Sequence, residues 1–569
     1  MKTLSCALVA LAATAAVANP EQQAPPLDPA LEAALAKVSG ETIAAYVERL
    51  ASDEFQGRMP GTEGERLTTE LIARVYADAG LQPAVNGSYY QEVPLLGSLI
   101  QGTPTMTIEG PDGAFEWRNK QHWVAGVGVD EPELRIEDSE IVFAGYGIHD
   151  PATGWDDYGD IDLTGKTVIY FYGDPGQATG DPALFKGRAM SHPGTRAPKA
   201  RSAGQRGAVA TFWIHVEEGI GYPWSVYGDA PHKWAHRIAD DDSIGSLKLQ
   251  GTMPIDAVRE LVAKAGMDFD ELAERATRRD FQAVPLGLKA DIAIDSEVKV
   301  IRSRNVLGLL PGSERPDEVV IYTAHWDHDG MNPEADGDGI FNGAVDNATG
   351  TAVLMHLAER FGALPERPAR SVLFFATTAE ERGLLGAQYY VHNPLFPMHQ
   401  TVAVINMDAL FPFGRTKGMT VTALGSSEVE AYLAGAAARE GRKLYDDGNP
   451  QIGAYYRSDH FPFAEAGVPA IFAVGGPAME EGVGETVDLQ RWVDYGQNRY
   501  HQPADEYDPE TWDMAGIVQD AKMFMETGHR IADDTRWPNW YLGNEFRALR
   551  DRQLAEGRDA KVAGADSAP

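Results

Sequence analysis

Residues 319–327 read Val319-Val320-Ile321-Tyr322-Thr323-Ala324-His325-Trp326-Asp327, an apolar run that ends in an imidazole and a carboxylate. Other runs share this build. Val372-Leu373-Phe374-Phe375 leads to Glu380-Glu381, and Val402-Ala403-Val404-Ile405 leads to Asn406-Met407-Asp408. Ala470-Ile471-Phe472-Ala473-Val474 is a fourth run. Each is short and bounded by polar or turn residues, as buried strands of a helix-covered sheet are. Between the first two lies Gly343-Ala344-Val345-Asp346-Asn347-Ala348-Thr349-Gly350, which runs into Val353, Leu354, Leu357 and Phe361 at helical spacing. This alternation predicts an α/β domain whose mixed, mostly parallel sheet is covered by helices on both faces.

In open α/β sheets, ligands bind beyond the carboxyl ends of the strands. Three such ends here deliver His325, the pair Glu380-Glu381, and Asp408. Asp346 falls between the first two, and His501 follows much later in Tyr500-His501-Gln502-Pro503-Ala504-Asp505. Any one of these residues is bland alone; their joint placement is the signal. Histidine and carboxylate without sulfur suit Zn²⁺ in an open, catalytic site. A carboxylate shared by two metals holds them ~3.5–4 Å apart, the spacing of two-metal hydrolases. In His325-x-Asp327 the carboxylate is a candidate to take the second ring N–H and fix the tautomer. The side chains of adjacent Glu380 and Glu381 diverge, so one can ligate while the other takes a proton from water.

Outward from this core, 569 residues are enough for at least two domains. The formal charge of −35, from 84 acidic and 49 basic side chains, argues against nucleic-acid and anionic-membrane partners. Lys2, the apolar run Leu4 to Val17 and the small-x-small end Ala16-Val17-Ala18 predict a cleaved signal peptide, hence a secreted or periplasmic protein with no membrane association after cleavage. The only cysteine, Cys6, lies inside that segment, which excludes cysteine nucleophile chemistry in the mature chain. From Glu41 to Ala79 two helical patterns flank the turn-rich link Phe55-Gln56-Gly57-Arg58-Met59-Pro60-Gly61. Between 139 and 290 short runs such as Ile141-Val142-Phe143 and Val168-Ile169-Tyr170-Phe171 alternate with Gly, Pro and Asp clusters, which predicts a separate, mainly β insert.

The ordered set His-x-Asp, Asp-Asn-x-x-Gly, Glu-Glu, Asn-x-Asp and a late His resembles the co-catalytic zinc exopeptidases, the family of bacterial leucine aminopeptidases, glutamate carboxypeptidase, glutaminyl cyclase and transferrin receptor. The resemblance covers roughly Glu41–Gln91 and Arg302–Arg530 and implies the zinc-exopeptidase fold with two Zn²⁺ per chain. It implies that His325 and Asp408 hold one zinc, Glu381 and His501 the other, with Asp346 bridging them through a cis Asp346-Asn347 peptide. Glu380 becomes the general base and Asp327 a supporting residue. Tyr455, ahead of Ser458-Asp459-His460, is a candidate oxyanion donor with Tyr456 as its rival. Asp459 and His460 read as a structural strand-to-helix element. Asp329 departs from the small or apolar residue expected after Asp327-His328.

The insert resembles a protease-associated domain. The expected segments are therefore a signal peptide (1–18), a loose leader (19–40), the N-terminal part of the peptidase domain (41–130), the insert (131–290), the metal-binding core (291–535) and a helical tail (536–569). The expected activity is that of an aminopeptidase acting on peptides with a free amino terminus. A carboxypeptidase, which would need a base such as Arg382 or Arg457 for the substrate carboxylate, is the alternative. Non-catalytic receptor-like and glutaminyl-cyclase-like members are the others, and the complete set of five ligands and a base speaks against the receptor-like one.

Overall fold

A computed structural model of the chain describes residues 26–126, 131–221, 223–224, 227, 234–239, 241–476 and 489–565. The expected signal peptide lies outside the described residues. The chain divides into two compact units: one is built from the N-terminal part to Glu92, Arg304–Gly448 and the stretch from Ser458 onward, the other from Val93–Ser303 and Asn449–Arg457.

Among the described residues, seven strands form the main path of the first unit's sheet: β1 (Val284–Leu310, through its last residues), β2 (Arg315–His325), β3 (Arg370–Thr377), β4 (Thr401–Asn406), β5 (Gly418–Val421), β6 (Lys443–Asp446) and β7 (Ala470–Gly476); the two-residue strand Gln82–Pro83 adds to the end of β1. Their order is β6-β5-β7-β4-β2-β3-β1. The central four, β7, β4, β2 and β3, are mutually parallel, whereas β1 and β5 join antiparallel. All four apolar runs of the sequence fall inside these parallel strands.

Every residue of β3 and β4 is buried, so successive side chains enter apolar layers on opposite faces. Phe374 stacks on Tyr322 at 5.5 Å and meets Phe361 of helix Thr349–Gly362 edge-on. Its neighbour Phe375 faces the other way, against Tyr390 of helix Leu385–His392 at 4.8 Å and Phe463 of helix His460–Glu465. Helices therefore cover both faces. Helices Gly40–Leu50, Glu63–Asp78 and Ala515–Asp533 add Val47, Ile72, Tyr76 and Phe524 to the Tyr322 side.

The loose leader is corrected, while the expected helical tail contains helix Arg547–Ala565. The expected leader contains helix Pro29–Leu35, capped by Asp28, whose Leu31 and Leu35 enter the core. In the expected tail, Trp540 is fully buried with its indole N–H on the Gly467 carbonyl, and buried Arg550 donates to Met398 and Thr401 carbonyls. Apolar burial holds both ends on the unit.

The second unit begins near Val93 rather than at 131 and reaches Ser303. It is not mainly β. Its strands Glu133–Phe143, Thr167–Phe171, Ala210–His215 and Leu249–Pro254 run parallel, with helices Arg196–Gln205, Ile255–Lys264 and Phe269–Ala276 packed around them. Helix Ile255–Lys264 buries Val258, Leu261 and Val262 at helical spacing, a period that the surrounding Gly, Pro and Asp clusters mask in the sequence.

Candidate metal centre

The sheet register sets the site. His325, the last residue of β2, pairs with Thr377, the last of β3, and Thr323 pairs with Asn406, the last of β4. The carboxyl ends of three adjacent parallel strands thus lie level, with Glu380, Glu381 and Asp408 a few residues beyond. Asp346 comes from the turn Ala344–Ala348 that opens helix Thr349–Gly362, and the Asp346-Asn347 peptide is cis. Gly350 completes that motif for a packing reason: a Cβ there would lie 2.3 Å from both Asn347 Oδ1 and the Met407 carbonyl. His501 stands on the loop after helix Leu489–Asn498 with a left-handed backbone, φ 55°.

These side chains converge. His325 Nε2 is 3.1 Å from Asp408 Oδ1 and 3.2 Å from Asp346 Oδ1. His501 Nε2 is 3.1 Å from Asp346 Oδ2 and 3.1 Å from Glu381 Oε2. Asp346 therefore offers one oxygen to each imidazole. Ligand atoms of His325, Asp346 and Glu381 lie within 4.8 Å of one another, as do those of His325, Glu380 and Asp408. Donor atoms around a tetrahedral ion with ~2.0–2.1 Å bonds sit about 3.3 Å apart, so the gaps of 3.1–3.2 Å and the sulfur-free donor set both fit zinc.

Electrostatics points the same way. Burial opposes the charged imidazolium of His325, yet Glu380 and Asp408 outweigh it and hold the ring well above the ordinary histidine range. His501 is likewise raised, to about 9, with burial overcome by Glu381 and Asp346. Burial works against ionised Asp346, but hydrogen bonds from His325 and His501 hold it well below the carboxylate range. Glu380 is pushed well above its usual value by burial, with Asp408 and Glu381 adding to the effect against His325. Protons and divalent cations would compete for these groups.

The supporting contacts are mostly ones the sequence did not announce. His325 Nδ1 faces the backbone carbonyl of Asp327 at 3.1 Å, while the Asp327 carboxylate stands at 3.9 Å. The expected orienting role thus falls to the carbonyl, because a two-residue separation curls the backbone under the ring. The Asp327 carboxylate instead accepts the Glu380 N–H at 3.0 Å and so ties the two loops together. His328 Nδ1 lies 2.6 Å from Glu381 Oε1 and leaves Oε2 toward His501. Ser458 donates to Asp408 Oδ2 at 2.5 Å and accepts from Asn406 Nδ2 at 2.6 Å. Asp505 accepts the Val345 and Asp346 N–H groups, and Asn347 spans to Met407 and Ala409. Asp459 hydrogen-bonds Thr377, and burial raises it to about 7.

The structure brings His325, Asp327, Asp346, Glu380, Glu381, Asp408 and His501 together within the first unit. Tyr455 is carried by segment 449–457 of the second unit, where it packs edge-on against Tyr456 at 5.4 Å. Asp329, the departure from the family pattern, forms an ion pair with Arg382 at 2.8 Å. The signal for His328 was present, since it follows His325 by three residues in one loop. Nothing in the sequence marks Ser458 or Asp505.

A His-carboxylate cluster at the carboxyl ends of a helix-covered, mostly parallel sheet is the arrangement that the sequence resemblance to zinc exopeptidases implies. Residues 305–525 match the model of Peptidase family M28. The fold is similar to that of the aminopeptidase from Aneurinibacillus sp. strain AM-1, with a TM-score of 0.52 and 17% identity over 89% of this chain and 97% of that one. In sequence, the chain is 30% identical over 175 residues to mouse aminopeptidase NAALADL1, covering 29% of this chain and 21% of the relative. It is 32% identical over 208 residues to a glutamate carboxypeptidase 2 homolog of Caenorhabditis briggsae, covering 32% and 26% respectively. The matches thus span about a quarter of the length of these curated relatives.

Proposed function

We propose that the protein is a two-zinc aminopeptidase that hydrolyses the first peptide bond of substrates with a free amino terminus. The observation that carries this reading is Asp346, whose two oxygens face His325 Nε2 and His501 Nε2 at 3.2 and 3.1 Å. His325 and Asp408 would hold one ion, Glu381 and His501 the other, and Asp346 both. Bound there, zinc supplies Lewis-acid polarisation of the scissile carbonyl and a hydrolytic water of lowered pKa.

The chain's own residues do the rest. Glu380, anchored through its N–H to Asp327, accepts the proton of the attacking water on its carboxylate. As the carbon–nitrogen bond breaks, Glu380 returns that proton to the leaving amine. Ser458, His328 and the Asp327 carbonyl keep Asp408, Glu381 and His325 in orientation.

Amino-end cleavage is favoured because Arg382, the only base in the loops 324–350 and 378–385, is already engaged by Asp329. A substrate carboxylate would meet mainly acids there, whereas an ammonium is attracted. The alternative carboxypeptidase reading is motivated by the name of the nematode relative and needs another base. Arg457 is directed within the second unit to Tyr172 Oη and the Ile220 carbonyl. We read that second unit as a protease-associated insert and the protein as secreted or periplasmic. No helix among the described residues is long and apolar enough to cross a membrane. The test is a zinc-loaded assay on one peptide in free, N-acetylated and C-amidated forms. Acetylation is expected to suppress cleavage and amidation to leave it nearly unchanged; the reverse pattern would favour the carboxypeptidase.

A further inference from the structure

The link Phe55–Pro60 plays no part in the chemistry above, yet it delivers the most heavily bonded cation near the metal centre. Arg58 is 1% exposed. Its Nε donates to the Trp326 carbonyl at 2.9 Å, Nη1 to the Leu50 and Asn342 carbonyls at 2.7 and 2.6 Å, and Nη2 to the Gly343 carbonyl at 2.9 Å. Trp326 follows the candidate ligand His325, and Gly343 precedes Asp346 by three residues. One guanidinium therefore grips both ligand loops and fastens them to the end of helix Gly40–Leu50.

The backbone is shaped to allow this. Gln56, Gly57 and Arg58 all take left-handed conformations, with φ of 50°, 64° and 52°. Two of the three are not glycine, so the turn is held against local preference by its surroundings. Gly57 has no room for a side chain, since a Cβ would lie 2.3 Å from the Gly330 carbonyl and 2.6 Å from that of Phe341. The turn is thus seated on the stretch that joins the His325 loop to the Asp346 loop. Burial lowers the guanidinium to about 10, opposed by Asp505, Asp327, Asp346 and Glu381, so it stays charged at neutral pH.

We propose that Arg58 is a positioning residue of the metal centre, which sets the separation of the His325 loop from the Asp346 loop and thereby the grip on the ion pair. The inference rests on the two-zinc reading and adds to it a residue from outside the matched segment 305–525. Metal–ligand distances in well-formed sites agree with their ideal values to within about 0.2 Å. A planar fork that reaches four carbonyls can hold two loops to that precision. A lysine has neither the fork nor enough donors to replace it.

The test compares Arg58→Lys and Arg58→Met with Arg370→Lys. Arg370 is a matched control, fully buried and bonded to Glu318 and to the Ile531 and Arg536 carbonyls. It begins β3, seven residues from Thr377, roughly 23 Å from the site end at ~3.3 Å per residue. Zinc affinity is read by competition with a chromophoric chelator, and the metal pair by the spin-coupled signal of the manganese-loaded protein. Both Arg58 variants should bind zinc roughly 10–100-fold more weakly, the usual effect of losing an outer-shell partner, and lose the coupled signal. Arg370→Lys should lose thermal stability while keeping wild-type metal binding.

Wild-type affinity and coupling in either Arg58 variant would overturn the proposal. So would equal weakening in Arg370→Lys. If even Arg58→Lys is unfolded while zinc-loaded, the residue serves the fold rather than the metal spacing, and the proposal is lost. A wild-type protein that binds no metal pair would instead remove the two-zinc reading beneath it.

Discussion

The two halves of the candidate metal centre are built differently. On one side His325 closes a central strand, is 1% exposed, and has both ring nitrogens engaged. Its partner Asp408 stands two residues past the next strand and is bonded by Ser458. On the other side the His501 side chain is 31% exposed, on a loop with a left-handed backbone. It is stacked at 3.9 Å on Tyr500, which is 47% exposed. There Glu381 depends on His328 for its orientation. The sheet fixes the first half; side-chain contacts among loops fix the second. The strand-borne half should therefore hold its metal more tightly and exchange it more slowly.

The largest effect should separate the two neighbouring glutamates. Glu380→Gln is expected to keep both metals and lose about 10²–10⁴ in kcat, whereas Glu381→Gln should lose the loop-borne metal. Elemental analysis beside steady-state kinetics decides this, and normal turnover by Glu380→Gln would remove it as the base. A smaller effect should follow from His328→Ala. Loop-borne zinc should bind roughly 10–100-fold more weakly while the strand-borne metal is unaffected. Equal loss at both sites would mean that the halves are not independent.

The smallest effect concerns pH. His501 is raised to about 9 when no cation is present, so a proton competes with metal below that value. Zinc affinity at the loop-borne site should rise from pH 6 toward pH 9, as calorimetric titration can follow. The linked stability has the opposite sign. Protonated His501 stabilises the metal-free fold fully below its ordinary pKa of about 6.5, and that contribution is lost as pH rises through about 9. A metal-free protein that gains stability across that window would contradict the assignment.

The same contrast explains what could be read from the sequence. The parallel strands were legible because burial on both faces forces continuous apolar runs, and residues at their carboxyl ends inherit a common level. His325, Glu380, Glu381 and Asp408 followed from that alone. Asp346 and His501 needed the ordered motif, since neither sits at a strand end. Ser458 and Asp505 were illegible because each acts through one hydrogen bond pattern across 50 or more residues, which leaves no local period. Arg58 lay in a visible turn, but its role depends on carbonyls at 326, 342 and 343, to which sequence patterns are blind. The helices of the second unit were missed because turn residues between its short elements overwhelmed a periodic signal only ten residues long.

The most direct test of the account is metal stoichiometry. Metal-free protein and its His501→Ala variant would each be titrated with zinc and their bound metal counted by mass spectrometry of the native chain. The account predicts two ions per wild-type chain, filled in two steps of unequal affinity, and one retained ion in His501→Ala. A single ion in the wild type, or loss of both ions in the variant, would contradict a pair of sites joined only through Asp346.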